Sequence, residues 1–247
     1  MSIKNILVSQ SAPRVLTQYQ TVTEKFGVQF NFRPFYKVEP LTSREFRAQR
    51  INILDYTAIV FSSRHAIDAF FSLAEELRCK IPETMKYFCT TEAVAMYLQK
   101  HIVYRKRKIF YGAGNPASIV ALITAKHKGE KFLIATTEGS DISPITSLFA
   151  AAKLDYTEGV LVKPVSQDIH ALDLGGFDIA VLCNPADVVS LRENFPDFKQ
   201  GGLKFISFGK AVVKAMEEAG LEIALKAPTP EATSISKAVE LYLQSRK

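Results

Sequence analysis

Short runs that are apolar on both faces, each followed by a stretch with helical spacing, recur along the chain and leave few folds open. Ile6-Leu7-Val8, Ala58-Ile59-Val60-Phe61, Lys86-Tyr87-Phe88-Cys89 and Asp178 to Leu182 are strand-length and lack a polar alternate face. Val28 to Phe32, Lys108 to Tyr111, Lys131 to Ala135, Tyr156 to Val162 and Lys204 to Ser207 also read as strands. Between them lie helical patterns, such as the one after Pro13 or Ile67, Phe70, Phe71, Ala74 and Leu77. Strands buried on both faces and joined by helices predict parallel sheets covered on both sides, an α/β fold.

An internal echo divides the pattern. Tyr56 to Ile67 resembles Phe177 to Val188, and Lys86 to Leu98 resembles Lys204 to Met216. Two echoes at nearly the same separation, roughly 120 residues, predict two similar α/β lobes, and 247 residues leave room for one large or two small domains. Phe32 to Pro40 and Val160 to Val165 are extended and carry prolines, which suits edge or linker strands. They are read as two crossings, with residues 36–40 and 163–166 as linker strands. Lobe A then comprises residues 1–35 and 167–247, and lobe B, residues 41–162, is inserted into it.

Composition narrows the chemistry. The 47% hydrophobic and 23% charged content is that of a globular chain. The longest nearly unbroken apolar run, Ile119 to Ala125, is far short of the ~18 residues of a membrane span. Met1-Ser2-Ile3-Lys4-Asn5 leads into a strand with no apolar targeting segment, so a cytoplasmic protein without membrane contact is expected. The three cysteines form no CxxC pair, the four histidines no metal-ligand spacing, and no metal is expected. A net charge of +6 suits acidic ligands. The basic residues are scattered and no nucleic-acid motif is present, so no nucleic-acid partner is expected. The one dense run, Arg105 to Lys108, is a solvated approach to an edge strand or a contact for an acidic ligand.

In open parallel sheets ligands lie beyond the carboxyl ends of the strands, where free helix N-terminal amides suit carboxylates and phosphates. The turns expected there are Ser9-Gln10-Ser11, Ser62-Ser63-Arg64-His65, Thr90-Thr91-Glu92, Thr136-Thr137-Glu138-Gly139, Cys183-Asn184-Pro185 and Ser207-Phe208-Gly209-Lys210. Helix capping is the commoner role for any one of them; as a set they are read as lining a shared cleft. Gly112-Ala113-Gly114-Asn115-Pro116-Ala117 matches a relaxed dinucleotide fingerprint with Glu138 at the ribose-acid distance, although a helix-opening turn also explains it. No GxSxG or P-loop occurs, and Ser63 and His65 are merely sequence neighbours. Glu75-Glu76 and Glu217-Glu218 are read as mid-helix surface charge.

The segment Ile59 to Phe71, with its Phe61-Ser62-Ser63-Arg64-His65-Ala66-Ile67 core, resembles a signature of the uroporphyrinogen-III synthase family. Ile206-Ser207-Phe208-Gly209 followed by Glu218-Ala219-Gly220-Leu221, and the ending Ala227 to Ile235, resemble two more of its segments in the same order. The resemblance covers essentially the whole chain. It implies two flavodoxin-like lobes joined by a two-stranded linker. It also implies a cofactor-independent lyase of haem biosynthesis that cyclises hydroxymethylbilane to uroporphyrinogen III, losing water and inverting the last ring through a spiro intermediate. Such an enzyme is expected to act as a monomer on a small-molecule tetrapyrrole. Ser62, Ser63, Thr90, Thr91, Asn184, Ser207 and Gly209 become the expected ligand-facing positions. Arg64 and Lys210 would be charge partners, with Thr137 and Glu138 on the rim; no catalytic acid is assigned.

The chain departs from the family pattern at several points. Val94 and Val212 stand where threonines are expected, and Val162 where a tyrosine is expected, with Tyr156 nearby. Ser9-Gln10 and Cys183-Asn184-Pro185 replace two further motifs. The departures imply that no single side chain is indispensable, or that this member is divergent. Two rival readings fit the same residues: a non-catalytic bilobed module for an acidic small molecule, and a nucleotide-dependent enzyme using Gly112 and Gly114.

Overall fold

The computed structural model describes residues 3–246; Met1 and Ser2 of the start read above, and Lys247, lie outside the described residues. The chain forms two compact units, Met1–Lys37 with Val165–Lys247, and Val38–Pro164.

The first unit holds β1 (Asn5–Val8), α1 (Thr17–Phe26) and β2 (Gln29–Phe32). After the second unit it resumes with β9 (Ile179–Leu182), α7 (Pro185–Asn194), β10 (Lys204–Phe208), α8 (Lys210–Glu218), β11 (Ile223–Ala227) and α9 (Ile235–Gln244). Its sheet runs β2-β1-β9-β10-β11, and every pairing is parallel. In chain order this is the flavodoxin-like 2-1-3-4-5, with its topological switch between β1 and β9. Alternate residues of each strand feed opposite cores, as the two-residue strand period requires. Ile6, Val181 and Ile206 pack with Val22 of α1 and Val239 of α9. Leu7, Leu182 and Phe205 pack with Val188 and Leu191 of α7 and Val212 of α8.

The second unit contains α2 (Ser43–Ala48), β4 (Ala58–Phe61), α3 (Arg64–Glu76), β5 (Lys86–Cys89), α4 (Glu92–Tyr97) and β6 (Ile109–Tyr111). It continues through α5 (Pro116–Lys126), β7 (Lys131–Thr137) and α6 (Ser143–Ala151). The chain passes between the units along β3 (Tyr36–Pro40) and β8 (Asp155–Ser166), so the Val160 to Val165 crossing is the far part of one twelve-residue strand. The sheet order is β3-β8-β7-β4-β5-β6. From β8 to β6 all pairings are parallel, and the order in which strands are added reverses between β4 and β7. Leu41 donates to the Leu161 carbonyl and Gln167 to that of Phe35, at 2.9 and 2.8 Å, so β3 meets β8 antiparallel. Phe46, Phe61 and Phe70 lie in the core on one face; Phe88, Phe132 and Phe149 lie on the other.

The acidic pairs do not sit mid-helix. Glu76 is the last residue of α3 and Glu218 the last of α8. A carboxylate there opposes the helix dipole; in α8 the partners are Lys226, 2.6 Å from Glu217, and Lys214, 3.8 Å from Glu218. Among the described residues no helix is long and apolar enough to cross a membrane.

Candidate functional site: the carboxyl ends of the two sheets

In the second unit the switch point lies between β4 and β7, and both strands end there in hydroxyl-bearing turns. Val60 pairs with Ile134, which brings the Ser62 turn level with Thr136 and Thr137. A cavity of about 300 Å³ opens at this edge, lined by Ser62, Thr90, Thr136, Thr137, Ser140 and Asp141 above Val60, Ile134 and Pro116. Thr136 and Ser140 hydroxyls lie 2.9 Å apart, and Ser140 also donates to the Thr137 carbonyl at 2.7 Å. Asp141 is drawn below the ordinary carboxylate range by hydrogen bonds from the Ser143 side chain and amide. The register between β7 and β8 shifts after Thr136, which pairs with Val160, so that Thr137 meets Val162 and Leu161 is the extra residue of β8. The cavity thus gathers Ser62, Thr90 and Thr137 of the expected site residues. Thr136, Ser140 and Asp141 join them; the polar run continuing past Gly139 to Ser143 was the available signal for the last two.

The other expected residues of this unit have definite local roles. Ser63 caps α3 by accepting from the Ala66 amide at 3.1 Å, and Thr91 caps α4 by accepting from Val94 at 3.3 Å. Glu138 is exposed, its amide donating to the Val162 carbonyl at 2.8 Å. The exposed Arg64 guanidinium lies over the Tyr97 ring, 5.3 Å from its centroid. Tyr97 in turn donates to Asp68 at 2.7 Å. Partial burial alone would raise the Asp68 carboxyl, but donors from Lys100, Tyr97 and His101 outweigh it and hold it at about 2. Arg64 therefore stands on an anchored aromatic platform.

The glycine-bearing loop is closed on itself. Asn115 accepts from the Ser118 amide at 2.9 Å, and Ser118 Oγ accepts from the Ala113 amide at 2.8 Å while donating to the Asn115 carbonyl. With the Ala113 amide so engaged, the loop is a helix-opening turn rather than a phosphate cradle.

In the first unit the switch point lies between β1 and β9. Asn184 caps α7, its Oδ1 accepting from the Ala186 amide at 3.0 Å. The third helical residue, Asp187, completes a capping box. Asp187 is wholly buried; its Oδ2 accepts from Ser9 Oγ at 2.6 Å and from the Cys183 and Asn184 amides at 2.8 and 2.9 Å. Burial pushes its carboxyl up to about 6 despite these donors. The Asn-Pro-Ala-Asp spacing was the sequence signal for the box, though not for the reach to Ser9.

One strand over, Ser207 is also wholly buried and its Oγ has no partner. Gly209 opens α8 with φ 141°, a left-handed conformation that glycine alone adopts without strain, and no side chain caps this helix. Lys210, exposed, is its first residue. The β10 end thus carries Ser207, Gly209 and Lys210, next to Asn184 at the end of β9.

Among the described residues no group of three or more His, Cys, Asp or Glu is placed to hold a metal ion. A family model described as Uroporphyrinogen-III synthase HemD matches residues 17–237. Among curated protein sequences none matches. Among solved structures, the uroporphyrinogen-III synthetase of Helicobacter pylori 26695 is similar with a TM-score of 0.55 at 14% identity, covering 99% of this chain and 100% of that one. A mutant uroporphyrinogen III synthase from the extremely thermophilic bacterium Thermus thermophilus gives a TM-score of 0.49 at 15% identity, covering 98% and 99%. At such identities the likeness to the first concerns the fold, which is the bilobed one built above. With the family model spanning nearly the entire chain, neither the non-catalytic module nor the nucleotide enzyme is favoured, and the protein belongs to the uroporphyrinogen-III synthases, cofactor-independent cyclising lyases of haem biosynthesis.

Proposed function

We propose that this chain holds hydroxymethylbilane by its acid side arms at the carboxyl ends of its two sheets and thereby selects closure to uroporphyrinogen III. The observation that carries the reading is the cavity at the β4/β7 switch point. It is a polar-rimmed recess over an apolar floor, at the place where open α/β sheets take ligands. Its volume suits one substituted pyrrole rather than four. Ser62, Thr90 and Thr137 would hydrogen-bond the acid arms of that ring, with Thr136, Ser140 and Asp141 as newly recruited neighbours. Ser63, Thr91 and Glu138 would shape the rim, and Arg64 would pair with a further carboxylate. In the first unit, Asn184, Ser207, Gly209 and Lys210 would receive carboxylates at the β9 and β10 ends.

The chemistry asks for steering more than for a reactive side chain. The linear tetrapyrrole closes spontaneously to the symmetric type I ring, so the protein must favour attack at the substituted carbon of the last ring. Holding a flexible polyanion in one near-attack geometry is worth up to ~7–11 kcal/mol in the best intramolecular cases. A recess that limits water would shelter the azafulvene cation left when hydroxide departs from capture by solvent, and the substrate's own carboxylates would offset its charge. A carboxyl of the substrate itself can assist that departure, which accords with turns rich in capping hydroxyls and lacking a triad. We further propose that the protein works as a cytoplasmic monomer. The reading is tested by supplying freshly made hydroxymethylbilane and separating the isomers: type III product supports it and exclusive type I product rejects it.

A further inference from the structure

At the switch point of the first unit, where an open sheet would take an anionic ligand, the chain has installed a carboxylate of its own. Three donors that could serve a ligand, Ser9 Oγ and the Cys183 and Asn184 amides, all point at Asp187 Oδ2. Its second oxygen, Oδ1, is buried and has no partner. Ser207 Oγ is the only other buried side-chain oxygen or nitrogen among the described residues in that state. Ser207 shares a sheet face with Phe205, and Ser9 with Leu7; both faces carry the core against α7. The two orphaned oxygens therefore lie on one side of adjoining strands β9 and β10.

We propose that Asp187 is a positioning residue for the anionic substrate, holding the β1 and β9 turns in one shape while its charge state sets how strongly this edge attracts a carboxylate. The inference rests on the reading of function given above. Because all three donors use Oδ2, a proton on Oδ1 leaves the turn geometry intact. What changes is the charge. Ionised, Asp187 cancels the positive end of the α7 dipole; neutral, it leaves that end available to substrate. The ionisable groups facing it are the Tyr36 phenol from β3 and the Cys183 thiol at the end of β9, with Tyr19 of α1 facing Cys183. Burial and the neighbouring Asp187 charge raise Tyr36, and burial raises Cys183 to about 12, so both stay neutral while Asp187 titrates.

Asp187→Asn tests this without rebuilding the site, since the amide oxygen can take the place of Oδ2 and the amide nitrogen that of Oδ1, mimicking the neutral acid. In the wild-type chain, the Cys183 and Asn184 amide resonances should move together between pH 5 and 8 with a midpoint near the value of about 6 given by burial. In D187N they should stay still. At pH 8 the variant's KM for hydroxymethylbilane should be about two- to fivefold below wild type, the size of one helix-dipole charge interaction, with kcat within twofold. The two KM values should converge by pH 5.5. Static wild-type amides across that range, or a KM ratio constant with pH, would overturn the proposal, including the case where D187N merely shifts Tm. Should the wild-type chain yield only type I product, the reading of function fails instead. The amide titration then still decides whether Asp187 carries the switching charge.

Discussion

The side chain of Gln49 pairs with the backbone of Val160 as a strand would. Its Nε2 donates to the Val160 carbonyl and its Oε1 accepts from the Val160 amide, both at 2.9 Å. Gln49 caps the end of α2, and Val160 lies just before the point where β8 and β7 shift register. One glutamine thus extends the sheet past the reach of β3 and holds β8 just before the register shift opposite Thr137.

Gln49→Ala should therefore destabilise the protein by about 1–3 kcal/mol, the cost of stranding a part-buried amide and carbonyl. Denaturant titration reads this directly. An unchanged unfolding midpoint would show that solvent replaces the clamp without cost.

Gly209 adopts φ 141° where β10 passes into α8. A Cβ there would find ordinary contact distances, 3.7 Å to the Cys183 carbonyl and 3.8 Å to Val212, so backbone strain rather than crowding is the obstacle. Gly209→Ala should cost about 1–3 kcal/mol of stability or displace the turn. The matching kinetic expectation is a raised KM for hydroxymethylbilane. Wild-type stability together with wild-type KM would remove Gly209 from the site.

Thr137→Val keeps the side-chain shape and removes a hydroxyl from the cavity wall. The expected loss is one substrate hydrogen bond, about 1 kcal/mol, seen as a roughly fivefold rise in KM with Tm within a degree or two. A fall in Tm with constant KM would make the hydroxyl structural.

Asp187 also makes a stability prediction with a defined sign. Its folded-state carboxyl is raised from 3.8 to about 6, so stability is fully present below the unfolded value and declines as pH rises through the folded one. Two units correspond to about 3 kcal/mol at pH 8. Asp187→Asn should recover up to about that much at pH 8, raising Tm by several degrees, and nothing below pH 4. Equal Tm gains at both pH values would contradict the buried-charge account.

What the sequence made legible follows from how each feature is encoded. Ala58–Phe61 and Lys86–Cys89 stand at their expected bounds because a strand covered on both faces writes an unbroken apolar run between polar turns. β11, Ile223–Ala227, gives no such run: it is an edge strand with alternating exposure, which resembles a loop leading to Pro228. β8 appeared as a strand followed by a linker since Pro164 interrupts its apolar pattern, although an outer region of a sheet tolerates the missing amide. The polar turns were visible as a set, yet their division of labour was not. Ser63, Thr91 and Asn184 spend their side chains on caps, while Ser62, Thr90 and Thr137 face a cavity, and each choice depends on a neighbouring strand. Nothing in the sequence marks Asp187 as buried, since a carboxylate in the first turn of a helix is ordinarily surface charge. Its burial depends on Ser9, far away in sequence.

The central claim is that this chain selects the geometry in which a flexible polyanion closes, and product isomer composition measures that directly. Freshly prepared hydroxymethylbilane should be converted faster than it cyclises unaided, and chromatography should show uroporphyrinogen III as the dominant isomer. Type I alone, formed at the enzyme-free rate, would contradict it.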